Sequence, residues 1–315
     1  MNILFVKDWN TTYEEFADHW DGIMAAISEI GKKHKVTFVT KLGENNYEFD
    51  RWHMHVVSNH GQFPFNPHLY DAVVCWGSLD RPWHYLLRGY DGPKVLCFAG
   101  GPTNHPYRQF FDAMCAESKV YEDTFLKQGF KVVRAFGTNT KIFRLERRTP
   151  KAFQALYPAS FCFHKNQELF ARAMGSFGLC VGNHNEISIV GKVIQLGTPV
   201  LRRVSSEALA DLYNMSSCVV LPGGPNSGAQ RVVLESMACG TPVVVASDND
   251  KCREFVEESG FGIVVEPVER EIQEAVRELI ANPPDPLGGV NYVQSKWTEE
   301  HYAFSILKAI SIAKS

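Results

Sequence analysis

The chain has 315 residues, of which 45% are hydrophobic, and its 32 basic residues nearly balance its 35 acidic ones. This length and composition suffice for two buried cores, so they exclude a predominantly disordered chain. The first 150 residues carry a net charge of +1 (18 basic, 17 acidic) and the remainder −4 (14 basic, 18 acidic). Sequence-independent nucleic-acid binding requires a strong basic field, so a nucleic-acid partner stays open but is not favoured.

The eight cysteines are scattered, and none has the Cys-x-x-Cys spacing that is typical of redox or zinc sites. Several lie inside apolar runs, which favours reduced, buried thiols in a cytoplasmic protein. No apolar stretch approaches the length that spans a membrane. We therefore expect a cytoplasmic location with at most peripheral membrane attachment.

The first half alternates short apolar runs with longer segments. Asn2–Val6 has the continuous apolar character of a central parallel strand covered on both faces, and Thr11–Ile30 follows with helical spacing. Further strands are predicted at Lys35–Thr40, Asp71–Cys75, Lys94–Phe98 and Lys131–Ala135, with a helix at Val120–Gln128. Alternation of this kind indicates a parallel sheet in an α/β domain.

The charged, proline-ended stretch Leu145–Pro150 separates this half from a second one with the same alternation. Strands are predicted at Phe153–Tyr157, Leu179–Gly182, Val193–Leu196, Cys218–Leu221, Thr241–Ala246 and Gly262–Val265, and helices at Gln167–Met174, Ser206–Asn214 and Asn291–Lys314. We predict one domain over residues 1–148 and another over residues 149–295. The terminal helix, residues 296–315, is expected to pack back on the first domain.

The most informative segment is residues 221–247, where a strand, a glycine-rich loop, a helix and another strand follow one another. Backbone N–H groups of Gly228, Ala229 and Gln230 would stand at the helix start, where unpaired donors and partial positive charge bind phosphate. Glu235 follows Ser227 by eight residues on the same helix, so it can face the loop and accept hydrogen bonds from a ribose diol. This fits a nucleoside diphosphate, although similar turns occur in α/β domains that bind nothing.

At this segment the sequence resembles the retaining, GT-B-fold glycosyltransferases of family 4 (glycosyl transferases group 1). Glu235–Val244 matches the family pattern Glu-Ala-Met-Ala-x-Gly-x-Pro-Val-Val, and Glu254–Pro267 and Gly137–Phe143 match further family segments in order. The resemblance covers roughly residues 117 to 310. It implies an α/β protein with two Rossmann-like domains facing across a cleft, each a parallel sheet with helices on both faces.

The resemblance also assigns roles to individual residues. It implies that Glu235 binds the donor ribose, that the backbone at Val200 and Leu201 contacts the base, and that Lys165 neutralises the diphosphate as the leaving group gains charge. It implies a donor linked to UDP or GDP, which is a substrate, and no cofactor or bound metal. The predicted donor-binding residues are Val200, Leu201, Asn226, Ser227, Gly228, Ala229, Gln230, Arg231 and Glu235.

Two departures from the family pattern concern the donor site. Ser227 replaces the first glutamate of the family's Glu-x7-Glu motif, which faces the donor sugar, and Ser160 stands near the place of the usual arginine. Serine cannot supply a carboxylate. The change is compatible with an unusual donor sugar, with compensation by Arg202, Arg203 or Arg231, or with a chain that binds donors without turning them over.

The first half is expected to supply the acceptor side. Trp9 and Asn10 follow the first strand, where family members often have glycines, and can stack against or hydrogen-bond a substrate. Asn104 and His105 follow the fourth predicted strand, at the edge where open α/β sheets place ligands, and His105 is a candidate catalytic residue. Nearby histidines such as His53 and His55 lack a closed ligand set, so no metal site is predicted.

We expect a glycosyltransferase that moves a sugar from a nucleoside diphosphate donor to an acceptor hydroxyl with retention of anomeric configuration. The acceptor class, whether a saccharide, a lipid-linked sugar or another hydroxyl compound, stays open. Two alternatives share the fold. One is a nucleotide-sugar epimerase or a sugar phosphorylase, and the other is a catalytically degenerate protein that only binds nucleotide sugars.

Overall fold

The computed structural model describes residues 1–10, 22–41, 47–49, 54–56, 66–77, 87, 89–100, 103–104, 106–146, 149–227 and 231–315. These residues form two compact units, one of Met1–Gly137 together with Glu299–Ser315 and the other of Thr138–Thr298. The predicted divisions lay after residues 148 and 295. Each unit is built on a six-stranded parallel sheet, which confirms the predicted α/β class.

The first unit contains a parallel sheet and a small antiparallel ribbon. Its strands are β1 (Asn2–Asn10), β2 (Lys35–Lys41), β3 (Tyr47–Phe49), β4 (Met54–Val56), β5 (Ala72–Gly77), β6 (Lys94–Phe98), β7 (Ala113–Ala116) and β8 (Lys131–Arg134). The parallel sheet has the order β2-β1-β5-β6-β7-β8, and β3 pairs with β4 in the ribbon. The prediction missed β7, because its four residues, Ala-Met-Cys-Ala, include none of the β-branched or aromatic types that mark a strand.

Both faces of the first sheet are buried. Its helices are α1 (Gly22–Gly31), α2 (Lys119–Lys127) and, at the end of the chain, α10 (Glu299–Lys314). Ile3 and Phe5 of β1 pack into one core with residues of α1 and α10, whereas Leu4 and Val6 pack into another core with residues of α2. Because successive side chains of a strand point to opposite faces, an uninterrupted apolar run such as β1 fills two cores.

The second unit is a doubly wound domain. Its strands are β9 (Phe153–Pro158), β10 (Gly178–Gly182), β11 (Val200–Arg202), β12 (Ser216–Leu221), β13 (Val243–Ala246) and β14 (Gly262–Val265). Its helices are α3 (Gln167–Met174), α4 (Ile187–Gln195), α5 (Ser206–Asn214), α6 (Val232–Ala238), α7 (Asp250–Ser259), α8 (Glu269–Ala281) and α9 (Pro286–Lys296). The order β11-β10-β9-β12-β13-β14 reverses between β9 and β12, and open α/β sheets bind ligands outside the carboxyl ends of the strands at such a point.

The strand predicted at Val193–Leu196 is wrong. These residues end helix α4, whose buried positions Ile189, Val190 and Val193 recur at helical spacing. Leu196 and Gly197 close the helix, with Gly197 in a left-handed conformation at φ 85°, and the strand begins at Val200. A short apolar run did not distinguish the buried stripe of a helix from a strand.

The single helix predicted for Asn291–Lys314 is also wrong. Two helices, α9 and α10, occupy this stretch and are separated at Trp297 and Thr298. The helical hydrogen bonds are interrupted there. The carbonyl of Trp297 instead accepts from the N–H of Thr138 at 3.0 Å, and Thr298 forms a β-bridge with Thr138. In the part of the chain that the structure describes, no helix is both long enough and apolar enough to cross a membrane.

Candidate active site

The candidate site lies at the carboxyl edge of the second sheet. The loop after β9 carries a turn of 3₁₀ helix at Phe163–Lys165, and the loop after β12 carries another at Pro225–Ser227. β9 and β12 are the neighbouring strands at the reversal of strand order. Side chains from both loops are therefore brought together where the topology favours a ligand.

Lys165 joins the two loops. Its ammonium Nζ donates to the carbonyl of Ser227 at 2.7 Å, and its own carbonyl accepts a hydrogen bond from the hydroxyl of Tyr157. Tyr157 is fully buried in β9. Asn166 follows in a left-handed conformation at φ 56°, which asparagine tolerates better than most residues, and ends the turn before α3 begins. Lys165 therefore lies shortly before α3 and contacts the end of the glycine loop, and its assignment to the diphosphate stays a prediction.

Ser227 uses its side chain to bind the neighbouring loop. Its hydroxyl donates to the carbonyl of His164 at 2.5 Å, and the residue is buried. Gly223 leaves the room for this contact, because a Cβ atom there would stand 2.2 Å from the Ser227 Oγ. The serine therefore connects two loops at the position where the family pattern has a carboxylate.

Further hydrogen bonds fix the glycine loop from β13 and α7. The amide of Asn249 donates to the carbonyl of Gly223 at 2.9 Å, and Lys251 donates to the carbonyl of Pro225 at 2.6 Å. Asn249 is fully buried, and its Oδ1 also caps α7 by accepting from the N–H of Cys252. The loop conformation is set by these side chains as well as by its glycines.

Glu235 is a buried carboxylate on α6, the helix that follows the glycine loop. It is 6% exposed, and its Oε2 accepts a hydrogen bond from the hydroxyl of Tyr213 at 2.8 Å. Tyr213 is fully buried at the end of α5, with its ring edge-on to Phe143. Burial, followed by the charge of Glu235, raises the pKa of Tyr213 well above its ordinary value, so the phenol is a neutral donor. A buried acidic group is rare and costly unless it is hydrogen-bonded in this way.

The other donor-side candidates lie around this core of the site. Asn226 is exposed at the tip of the glycine loop, and Arg231 is half-buried directly before α6. Val200 and Leu201 lie on β11 at the edge of the sheet, two strands from β9, and the assignment of their backbone to the nucleobase stays a prediction. Gly228, Ala229 and Gln230 lie outside the described residues.

The acceptor-side candidates are not brought together by the described residues. Trp9 and Asn10 are the last residues of β1, and Asn104 is exposed after β6. His105 lies outside the described residues. The roles proposed for these four residues from the sequence stay predictions.

A cavity of about 300 Å³ adjoins the glycine loop within the second unit. Phe163, His164 and Asn166 line it from the first loop, Asn226 from the second, and Asp248 from the turn after β13. Burial, followed by the charge of Lys165, lowers the pKa of the His164 imidazole, so this side chain is neutral at pH 7. Sequence reasoning missed Asp248 and Asn166. The available signal for Asp248 was its place just after the predicted strand Thr241–Ala246, and the signal for Asn166 was its place directly before the predicted helix Gln167–Met174.

The described residues bring one group of three carboxylates close enough to share a metal ion, and it lies in the first unit. Glu29, Glu299 and Glu300 have oxygens within 4.8 Å of one another. Glu29 is also paired with Lys32. This group shares no residue with the candidate site.

A comparison with family models assigns the region that contains this site. Residues 156–282 match the model described as glycosyl transferases group 1. This segment is therefore similar to the glycosyl transferases group 1 domain. The matched segment includes β9 to β14 apart from the first three residues of β9, and it contains Lys165, Ser227 and Glu235. A search of curated protein sequences finds no match.

Solved structures show the same fold over the whole chain. Sucrose-phosphate synthase from Thermosynechococcus elongatus is 13% identical, with a TM-score of 0.72 and 98% coverage of both chains. The Anabaena protein HepE, solved in complex with UDP-glucose, is 15% identical, with a TM-score of 0.73 and 99% coverage of both chains. A glycosyltransferase from Rickettsia africae is 13% identical, with a TM-score of 0.73 and coverage of 100% of this chain and 99% of its own. The chain therefore has the GT-B fold.

Proposed function

We propose that the protein is a glycosyltransferase that moves a sugar from a nucleoside diphosphate donor, linked to UDP or GDP, to an acceptor hydroxyl. The observation that carries the proposal is the buried carboxylate of Glu235 behind the glycine loop of a segment similar to the glycosyl transferases group 1 domain. A carboxylate offers about four acceptor positions, so Glu235 can accept from Tyr213 and from ribose hydroxyls at the same time. The UDP-glucose complex of the similar HepE protein supports a donor of this class.

In this proposal Lys165 stabilises the leaving group. The nucleoside diphosphate gains negative charge as the bond between the anomeric carbon and the phosphate oxygen breaks, and a fixed cation favours that state. The hydrogen bond from Lys165 to the carbonyl of Ser227 holds the ammonium over the end of the glycine loop, where the phosphates would lie. A positioned ammonium can do this work without a metal ion.

We further propose retention of configuration at the anomeric carbon. The acceptor hydroxyl would attack from the side that the diphosphate leaves, and the departing phosphate oxygen would take the acceptor's proton. This route needs no nucleophile from the protein. It is consistent with the carboxylate of Glu235 being buried and bonded to Tyr213, and so not presented as a nucleophile.

Product analysis tests the proposal. The protein is incubated with UDP-glucose, UDP-galactose, GDP-mannose and ADP-glucose in the presence of simple glycosides, and NMR follows the nucleotide and the anomeric proton. Release of the nucleoside diphosphate with an α-configured product, unchanged by EDTA, is expected. An epimerised sugar without nucleotide release, or a strict need for inorganic phosphate, would contradict transfer and support an epimerase or a phosphorylase.

One observation favours a second candidate function. Ser227 replaces a family carboxylate and donates to the carbonyl of His164, and Ser160 stands near the place where the family has an arginine. A protein that binds nucleotide sugars without turnover would carry changes of this kind. Tight donor binding with no nucleotide release under any of the conditions above would establish it.

A further inference from the structure

The cavity beside the glycine loop has a chemical character that differs from that of a phosphate site. Its polar side chains are those of His164, Asn166, Asn226 and Asp248, and none of these is a cation at pH 7. The carboxylate of Asp248 would repel a phosphate or another acid. Lys165 is not among the residues that line this cavity.

These side chains suit a neutral polyhydroxyl compound. Sugar hydroxyls donate to a carboxylate and exchange hydrogen bonds in both directions with amides, and the cavity offers one carboxylate and two amides. The ring of Phe163 is mostly exposed at the same cavity and can cover an apolar face of a sugar. A volume of about 300 Å³ is at the small end of ligand pockets, which fits a single sugar ring.

The carboxylate of Asp248 lies close to a glycine of the loop. A Cβ atom on Gly224 would stand 3.0 Å from Oδ2 of Asp248, so the carboxylate lies directly over the glycine loop. At such a distance, a side chain at Gly224 would make the carboxylate shift by a few tenths of an ångström. The turn after β13 thus brings a carboxylate to the loop in which Ser227 offers none.

We propose that this cavity holds the sugar of the donor, that Asp248 and Asn226 bind its hydroxyls, and that Asp248 selects neutral sugars against uronic acids. The inference rests on the proposed transferase function and adds the class of sugar and the residue that selects it. Asp248 thereby takes over, from another strand, the contact to sugar hydroxyls that Ser227 cannot make.

Calorimetric titration of the full chain tests the inference, with UDP, UDP-glucose, UDP-glucuronic acid, GDP and GDP-mannose as ligands. Asp248→Asn should lower the affinity for the sugar nucleotide that the wild type prefers about tenfold. The affinity for the free nucleoside diphosphate should stay unchanged, because only the contact to the sugar is altered. The ratio of the affinity for UDP-glucose to that for UDP-glucuronic acid should be smaller in the same variant than in the wild type. Gly224→Ala should give a smaller change in the same direction.

Asp250→Asn is the matched control, because Asp250 is an exposed carboxylate two residues away that pairs with Arg253 and does not line the cavity. Thermal unfolding checks that each variant is folded. If the wild type binds none of the nucleotides, the proposed function fails, and the sugar pocket fails with it. A different outcome is that nucleotides bind, but Asp248→Asn changes the affinities for the sugar nucleotide and the free nucleoside diphosphate equally, or changes neither. In that case the proposed donor site stands and the sugar pocket is overturned.

Discussion

The two sheets have the same architecture but differ in the number of strands on each side of the reversal of strand order. Both sheets are six-stranded, parallel and reversed in strand order. On one side of the reversal the first sheet has two strands, β1 and β2, whereas the second sheet has three, β9, β10 and β11. In the second unit, Lys165, Ser227 and Asn249 bond the strand-end loops to one another. Both sheets thus offer a reversal of strand order at which a ligand could bind. The fold alone therefore does not locate the site, and the polar side chains do.

The largest effect is expected at Lys165. Lys165→Ala should lower turnover by about 10² to 10³, which is the usual cost of removing one group that stabilises charge in a transition state. Donor affinity should change much less, since the lysine acts on charge that develops during the reaction. Steady-state kinetics separates the two quantities. Lys127→Ala, at an exposed lysine of the first unit, is the control, and a loss of equal size there would contradict the assignment.

Two glycines with positive φ, one in each unit, allow the stability cost of an added side chain to be compared. Gly240 ends the helix that carries Glu235, at φ 68°, and a Cβ atom there would stand 2.8 Å from Cβ of Pro286. Gly129 in the first unit has φ 84° and open space around it. We expect Gly240→Ala to cost about 3 kcal/mol and Gly129→Ala about 1 kcal/mol in the free energy of unfolding. Urea unfolding measures both, and equal costs would show that the packing at Gly240 is looser than described.

A smaller effect is expected from the hydroxyl of Ser227. Ser227→Ala removes the hydrogen bond to the carbonyl of His164 and should cost about 1 kcal/mol of stability. It should also lower turnover several-fold, because the turn that carries Lys165 loses one of its attachments. Thr124→Ala removes a similar side-chain bond, to the carbonyl of Val120 in the first unit, and should change stability alone. A loss of turnover in Thr124→Ala would contradict the special effect expected for the hydroxyl of Ser227.

The smallest effect concerns the alkaline pH dependence of the first unit. Burial, followed by the charges of Asp71 and Asp112, raises the pKa of Tyr90 to about 12 from about 10, and its hydroxyl donates to the carbonyl of Tyr70. The unfolded chain therefore loses this proton at lower pH than the folded chain does. The stability that Tyr90 contributes is complete below pH 10 and declines between about pH 10 and 12. Between pH 8 and 11, the free energy of unfolding should decline less steeply with pH in Tyr90→Phe than in the wild type. Parallel curves would contradict this assignment.

The sequence predicted most of the strands, and the loop and helix around Glu235, for identifiable reasons. Continuous apolar runs such as β1 and β12 indicate buried parallel strands, and the match at Glu235–Val244 located the glycine loop and its helix. It did not reveal that Tyr213 bonds Glu235 or that Asp248 reaches the loop from β13, because those contacts join residues that are distant in sequence. The error at Val193–Leu196 arose because a short apolar run suits the buried face of a helix as well as a strand.

We propose that the second unit holds a nucleotide-sugar donor with the carboxylate of Glu235 on the ribose. The most direct test is calorimetric titration of UDP, GDP and ADP into the wild type, Glu235→Ala, Glu235→Gln and the exposed control Glu257→Ala, with thermal unfolding to verify folding. We predict selective binding of one base, weakened about ten- to a hundredfold in Glu235→Ala, less in Glu235→Gln, and unchanged in Glu257→Ala. Binding that survives Glu235→Ala unchanged in a folded variant, or no binding by the wild type, would contradict the claim.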